Sequence, residues 1–207
     1  MRFQRFYNAI DDRAGCLGKG WRHNYEIQLL LEADRYVILW EDGREEFYLR
    51  DGDNQPEPLF GGCGHFMRSG ENYLYETRDK ITYLFDANGN LLKQENTSGQ
   101  GIYFTYDKQG RLSRVTNGCG SSLNYQYDPH SGMLLQVTDH IGRRIAFVYE
   151  CGRLKEVNNG TGYSYSYYYD ADRNIYKVRN PRGIHVLENN YDSQRRITKQ
   201  YLQMAEK

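Results

Sequence analysis

Apolar residues recur at every second position in a series of short runs. Ile102, Phe104 and Tyr106 form one run, Leu123, Tyr125 and Tyr127 another, then Ile145, Phe147 and Tyr149, then Tyr165, Tyr167 and Tyr169. The intervening positions are Tyr103 and Thr105, Asn124 and Gln126, Ala146 and Val148, Ser166 and Tyr168. A period of two predicts a strand with two distinct faces. Each run ends in an aromatic–acid pair, then a short turn, then Gly-Arg-Leu or a variant. Tyr106-Asp107 precedes Gly110-Arg111-Leu112, Tyr127-Asp128 precedes Gly132-Met133-Leu134, and Tyr149-Glu150 precedes Gly152-Arg153-Leu154. Phe85-Asp86 precedes Gly89-Asn90-Leu91, Tyr169-Asp170 precedes Arg173-Asn174-Ile175, and Tyr191-Asp192 precedes Arg195-Arg196-Ile197. The six anchors at 85, 106, 127, 149, 169 and 191 are spaced by 21, 21, 22, 20 and 22 residues. Near-constant spacing of this kind marks a repeat array.

About 21 residues hold two strands of ordinary length and two turns. In the copy at Tyr106, Asp107 to Gly110 makes the first turn, with Asp bonding the backbone two residues on and Gly taking positive φ at the exit. A second strand runs from Arg111 to Val115, and Asn117-Gly118 closes the unit. Leu112 and Val115 lie three apart, so alternation fails on this strand, and a bulge or bend is predicted there. The fold class is therefore all-β: tandem antiparallel hairpins forming one long curved or spiralling meander, open at the C-terminal end. Residues 1–80 read as an entry and capping segment with early strands, and residues 81–207 as the repeats. Within the first part, Arg5 to Tyr25 lacks the period. Its Gly15, Gly18 and Gly20 suggest a looping segment that covers the first sheet edge, since repeat arrays need atypical caps. The other end has no comparable cap, so the last strand, near Tyr191 to Tyr201, is expected to be an open edge.

Composition narrows the function. The 207 residues carry 27 Lys plus Arg against 27 Asp plus Glu, a formal charge of zero, without the basic field that drives phosphate-backbone binding. Nucleic acid is excluded as the expected partner. Twenty of the aromatic residues are Tyr, which suits a half-buried pleated surface, and 21 Gly against 4 Pro fits many tight turns. No segment approaches a membrane span, and Met1 to Arg5 lacks the apolar core of a signal peptide.

Candidate chemistry is sparse. Cys16, Cys63, Cys119 and Cys151 are far apart, with no metal-ligand spacing, and read as four thiols. Cys119 has no positioned base in the sequence and reads as inert. His23, His65, His130, His140 and His185 show no ligand pattern. Asp107, Asp128, Glu150, Asp170 and Asp192 recur once per repeat, which fits turn capping better than paired-carboxylate catalysis. Glu150 marks a shorter turn. The sequons at Asn96 and Asn159 are discounted. No catalytic, cofactor-binding or metal-binding residue is assigned. Tyr163, Tyr165, Tyr167 and Tyr169 are expected on one face with Tyr168 opposite. Packing between repeats is their favoured role, and an exposed stripe that stacks sugars is the competing one.

The Tyr-Asp-x-x-Gly-Arg-Leu pattern at Tyr106 to Leu112 resembles the YD (Rhs) repeat family. Arg5-Phe6-Tyr7-Asn8, Gly18 to Glu26 and Asp42 to Phe47 are similar to the entry segment preceding the repeats of that family. The resemblance covers nearly the whole chain. It implies a large protein whose repeats form a hollow β-sheet shell around a C-terminal toxin or another variable domain. Some members are secreted or wall-associated, others are loaded on a type VI secretion apparatus, and related animal repeats serve in adhesion. Expected partners are the rest of the shell, its toxin, a secretion-apparatus tip protein and a cell-surface glycan, with no cofactor and no enzymatic role. The expected location is a bacterial cytoplasm until export without a signal peptide, or the secreted or cell-surface space. Complete shells in the family are several times longer, so the chain is expected to form one wall. The family's self-cleaving boundary is not carried over, because Asp128-Pro129 sits at a turn with repeats continuing beyond it. A glycan-binding adhesion module using exposed Tyr rows is the alternative.

Overall fold

The computed structural model describes residues 1–52 and 55–202. Strands, turns and bends account for its regular structure, with no helix among the described residues. The main sheet is antiparallel and holds sixteen strands. From His65–Ser69 to Ile197–Leu202, each strand of its path pairs with its neighbours in sequence, the order of a hairpin meander. Ile197–Leu202 ends that path and all six of its residues are exposed, which agrees with the expected open edge as far as residue 202. Residues 203–207 of the expected terminus lie outside the described residues.

Two compact units divide the chain: Met1–Phe6 with His23–Asn124, and Tyr7–Arg22 with Tyr125–Lys207.

In the first unit a four-stranded sheet, Gln28–Leu31, Arg35–Leu39, Glu45–Leu49 and Glu57–Pro58, faces the early hairpins. Residues 36 to 40, Tyr-Val-Ile-Leu-Trp, are buried without alternation, as expected of a strand covered on both faces. Trp40 packs edge-on against Tyr75 and Tyr83 (ring centroids 5.5 and 5.2 Å), and Tyr36 meets Phe66 and Tyr73 (both 5.3 Å). Offset and T-shaped pairs at these separations add to the stabilisation from area burial alone. The sheet also grips a repeat turn: Leu29 N donates to Gly89 O at 3.0 Å, and Gln28 bridges Asn90.

The second unit builds its core from one stripe of each hairpin, Leu134, Val137, Phe147, Leu154, Val157, Tyr167 and Ile175, all buried. Leu17 and Trp21 of the early segment are buried as well. That segment has its partners in the later hairpins, which corrects the expectation of a cap on the first sheet edge. The reason is geometric: the bulged ends of those hairpins present backbone groups that a glycine-rich strand can meet.

Candidate functional site

The predicted bulge is present and recurs. Thr105 faces Arg114 while Tyr106 faces Leu112, so Ser113 is the extra residue. The same shift leaves Leu92, Lys155, Tyr176 and Thr198 extra in four other repeats. Ser113 Oγ donates to Thr105 O at 2.9 Å and Thr198 Oγ1 to Asn190 O at 3.2 Å, so two bulges are tied back to the partner strand.

Each bulge shortens pairing with the next hairpin. Leu91–Glu95 meets the following strand only through Lys93, Gln94 and Glu95, and Arg153–Asn158 only through Glu156, Val157 and Asn158. The residue that follows the Gly-Arg pair or its variant thus stands beyond the ladder. There the anchor tyrosine of the next hairpin takes over. Tyr106 Oη donates to Leu91 O (2.9 Å), Tyr149 to Leu134 O, Tyr169 to Leu154 O and Tyr191 to Ile175 O (each 2.7 Å). A phenol so placed packs its ring and satisfies a carbonyl that would otherwise be costly to bury. Burial holds the Tyr106, Tyr169 and Tyr191 hydroxyls above the usual tyrosine range, which keeps them protonated as donors. The period alone does not show this; what distinguishes it in the sequence is that five of the six anchors are Tyr rather than Phe.

The recurring acids are turn caps. Asp107 Oδ1 accepts from the amides of Gln109 and Arg111, both at 2.9 Å, and Oδ2 from Arg111 Nε at 2.8 Å. Asp192 with Arg196 and Asp139 with Arg143 repeat the arrangement. This gives Arg111 and Arg196 their role: each clamps the acid of its own turn, whereas Arg153 reaches Arg173 O instead. Burial alone would raise the Asp107 carboxyl, but bonds from the Arg111 amide and guanidinium and the Gln109 amide outweigh it and leave it below the ordinary range. At Asp192 the Arg196 amide leads the lowering, and at Asp128 the Ser131 amide does. Glu150 differs as expected. It faces Arg153 directly across Cys151-Gly152, whose φ values of 49° and 73° define a two-residue turn. At the other end of the Tyr106 hairpin, the closing turn runs from Asn117 to Ser121, and its positive φ falls on Gly120 rather than Gly118.

Tyr7–Arg22 lies along the bulges of the second unit. Cys16 O accepts from Leu134 N (2.8 Å), and Gly18 pairs with Arg153. Trp21 Nε1 donates to Tyr169 Oη (3.0 Å) while its ring meets Tyr167 edge-on at 4.8 Å. Ile175 N donates to Tyr7 Oη at 3.3 Å, and burial pushes that phenol up to about 12. Arg195 grips Asp12 with two bonds (2.8 and 2.9 Å), and Lys19 adds a third contact at 2.7 Å. The strap thus takes amides from bulges whose carbonyls the tyrosines take.

Glu46 is the most heavily bonded carboxylate described. Its side chain is buried, and it accepts from Tyr75 Oη (2.7 Å), Trp40 Nε1 (3.0 Å), Tyr48 Oη (3.2 Å) and Arg44 Nη1 (2.5 Å). Cys63 approaches through its amide (3.4 Å) and its thiol (3.6 Å). Burial opposes ionisation, but Tyr75, Arg44 and Cys63 outweigh it and hold the carboxyl below its ordinary range. The resemblance pointed to the segment holding Glu46; Trp40, Arg44 and Tyr48 are its near neighbours in sequence, and Cys63 and Tyr75 complete the cage from 17 and 29 residues away.

The tyrosine stripe divides. Tyr167 is 9% exposed and Tyr169 is half-buried, whereas Tyr163 and Tyr165 are 58% and 42% exposed. The shift between Tyr168 and Tyr169 breaks the expected alternation. Of the histidines, His23 is buried and its Nδ1 accepts from Tyr25 N at 3.2 Å. Cys63, Cys119 and Cys151 are exposed thiols and Cys16 is half-buried.

Two family descriptions match the chain: a domain of unknown function (DUF6531) over residues 1–48, and the Teneurin YD-shell over residues 69–157. No curated protein matches in sequence. Among solved structures, the Photorhabdus luminescens Tc holotoxin pore carrying a TccC3 mutation is similar at 19% identity over 87% of this chain, with a TM-score of 0.39. A TcdB2-TccC3-Cdc42 structure matches at 18% identity over 87% of the chain, with a TM-score of 0.40. The chain spans 9% of the length of each of these two. Among the described residues, no helix is long and apolar enough to cross a membrane.

Proposed function

The chain belongs to the Rhs/YD-repeat family, and from that membership we propose that it is a wall segment of a shell that encloses or presents a C-terminal toxin for competition between bacteria. The YD-shell match supports a shell-type structural role. The observation that carries the reading is the joint between hairpins, in which a tyrosine of one repeat reaches a carbonyl of the repeat before it four times over. Such a joint stiffens the sheet at each of these four junctions and asks nothing of a substrate. Of the acids that might have done chemistry, Asp107, Asp128 and Asp192 are held as ionised acceptors by their own turns. The wall acts mechanically, by separating what lies on one side from what lies on the other.

In this reading residues 1–80 are the entry segment and residues 81–207 the repeats. The partners are the remainder of the shell, its toxin and a secretion-apparatus tip protein, with export by a type VI-like route. The reading predicts a longer reading frame that joins this wall to a toxin domain, and the test uses that protein. The intact protein should shield the toxin domain from protease, and Tyr149→Phe combined with Tyr169→Phe should expose it. Equal digestion of the toxin domain in the parent protein and as a separate fragment would sink the proposal.

A second reading, a glycan-binding adhesion surface, is favoured by the exposure of Tyr163 and Tyr165. It requires binding to a glycan panel that Tyr165→Ala removes while the fold is retained. Tyr167 is unsuited to this test because it belongs to the core.

A further inference from the structure

We infer that Tyr7–Arg22 is a clasp that closes only after the sixth hairpin has formed, so that its closure registers the arrival of that hairpin. The contacts that hold the hairpins are local. A tyrosine and the carbonyl it reaches are 15 or 16 residues apart. The contacts that hold the strap are not. Cys16 and Tyr149 are separated by 133 residues, Trp21 and Tyr169 by 148, Tyr7 and Ile175 by 168, and Asp12 and Arg195 by 183. The entropy lost on closing a loop grows with its length, and long-range pairings form after local ones have prepaid that loss.

The strap is closed on itself by local bonds: Ala14 pairs with Lys19 and Gly15 with Gly18, Asn8 N donates to Gly20 O, Gly20 N to Arg13 O, and Lys19 meets Asp12. What docks it is a set of groups on successive hairpins, among them Leu134 N, Arg153, Tyr169 Oη, Ile175 N and Arg195. None of these positions exists until its hairpin has formed. The last, Arg195, stands in the turn of the sixth hairpin with φ 61° and is clamped by Asp12 from the strap. Docking therefore draws on every hairpin from the third to the sixth and closes as one event once the sixth has formed. The inference rests on these contacts and stands whatever the wall encloses.

Refolding of the full chain from denaturant with pulsed hydrogen exchange tests it. The Val157 amide, which lies within the ladder on both sides, serves as the reference. The Leu134 and Ile175 amides should gain protection together and in a slower phase than Val157. In the folded state, Trp21→Ala should raise exchange at both sites at least tenfold with Val157 unchanged. Asp12→Ala provides the second variant, because Asp12 is 62% exposed and its loss leaves the core intact. It should slow the late phase without altering the early one. Protection of all three amides in a single phase, or an unchanged late phase in Asp12→Ala, would overturn the proposal.

Discussion

The Tyr149 hydroxyl donates to the carbonyl of Leu134 at 2.7 Å, fifteen residues back and one hairpin earlier. Leu134 N meanwhile donates to Cys16 O. Both backbone groups of Leu134 are thus satisfied from outside the regular ladder. Tyr149→Phe leaves the carbonyl unbonded and should cost about 1–2 kcal/mol in chemical denaturation. Tyr169→Phe should cost more, because Trp21 Nε1 loses its acceptor too. Tyr163→Phe, at an exposed ring, should stay within about 0.5 kcal/mol of the parent.

Gly89 and Gly110 occupy equivalent turn positions, with φ of 82° and 75°, but different surroundings. A Cβ on Gly89 would lie 1.8 Å from Leu29 O, while one on Gly110 meets open space. Gly110→Ala should therefore cost roughly 1 kcal/mol from backbone strain alone. Gly89→Ala should exceed about 3 kcal/mol and detach Gln28–Leu31 from the turn. Thermal melts of the two variants decide this, and equal losses would show that the Leu29 contact carries no weight.

Glu46 gathers donors from Trp40, Arg44, Tyr48 and Tyr75. Glu46→Gln places an amide donor among donors and removes the charge that Arg44 meets. The expected loss is about 2–3 kcal/mol, measured by denaturant unfolding, since the buried donors of Trp40, Tyr48 and Tyr75 lose a charged acceptor and one of them faces an amide donor, while the half-exposed Arg44 is taken up by water. Tyr75→Phe should reproduce about a third of that loss.

Stability should fall at both ends of the pH scale. The carboxyls of Glu46, Asp107, Asp128, Asp139 and Asp192 are lowered in the folded chain. Their contribution is present above the unfolded carboxylate values near pH 4 and is lost as pH falls through the lower folded ones. Burial raises the phenols of Tyr7, Tyr48 and Tyr83 to about 12. Their contribution is full below the unfolded value of about 10 and is lost as pH rises toward 12. Circular dichroism against pH should show acid loss below about 4 and alkaline loss above about 10. Asp107→Asn keeps the side-chain oxygen that Asn96 and Asn180 use in their own turns, so it should fold and weaken only the acid limb.

Local chemistry made much of the protein legible from its sequence. Strand periodicity, Asx-capped turns and the 21-residue spacing each depend on residues within one hairpin, so pattern alone yields the meander and its bulges. The mismatch of Leu112 and Val115 was enough to locate a bulge, because a period of two tolerates no odd spacing. Which tyrosines are core and which are surface was not legible. Tyr165 and Tyr167 have the same local pattern, yet Trp21 covers only the second. The destination of Tyr7–Arg22 was equally hidden, since it depends on hydrogen-bonding groups left over at bulges well over a hundred residues away. Sequence by itself determined the repeating unit; tertiary structure decided how one unit is bonded to the next, because those bonds join groups that no local pattern brings together.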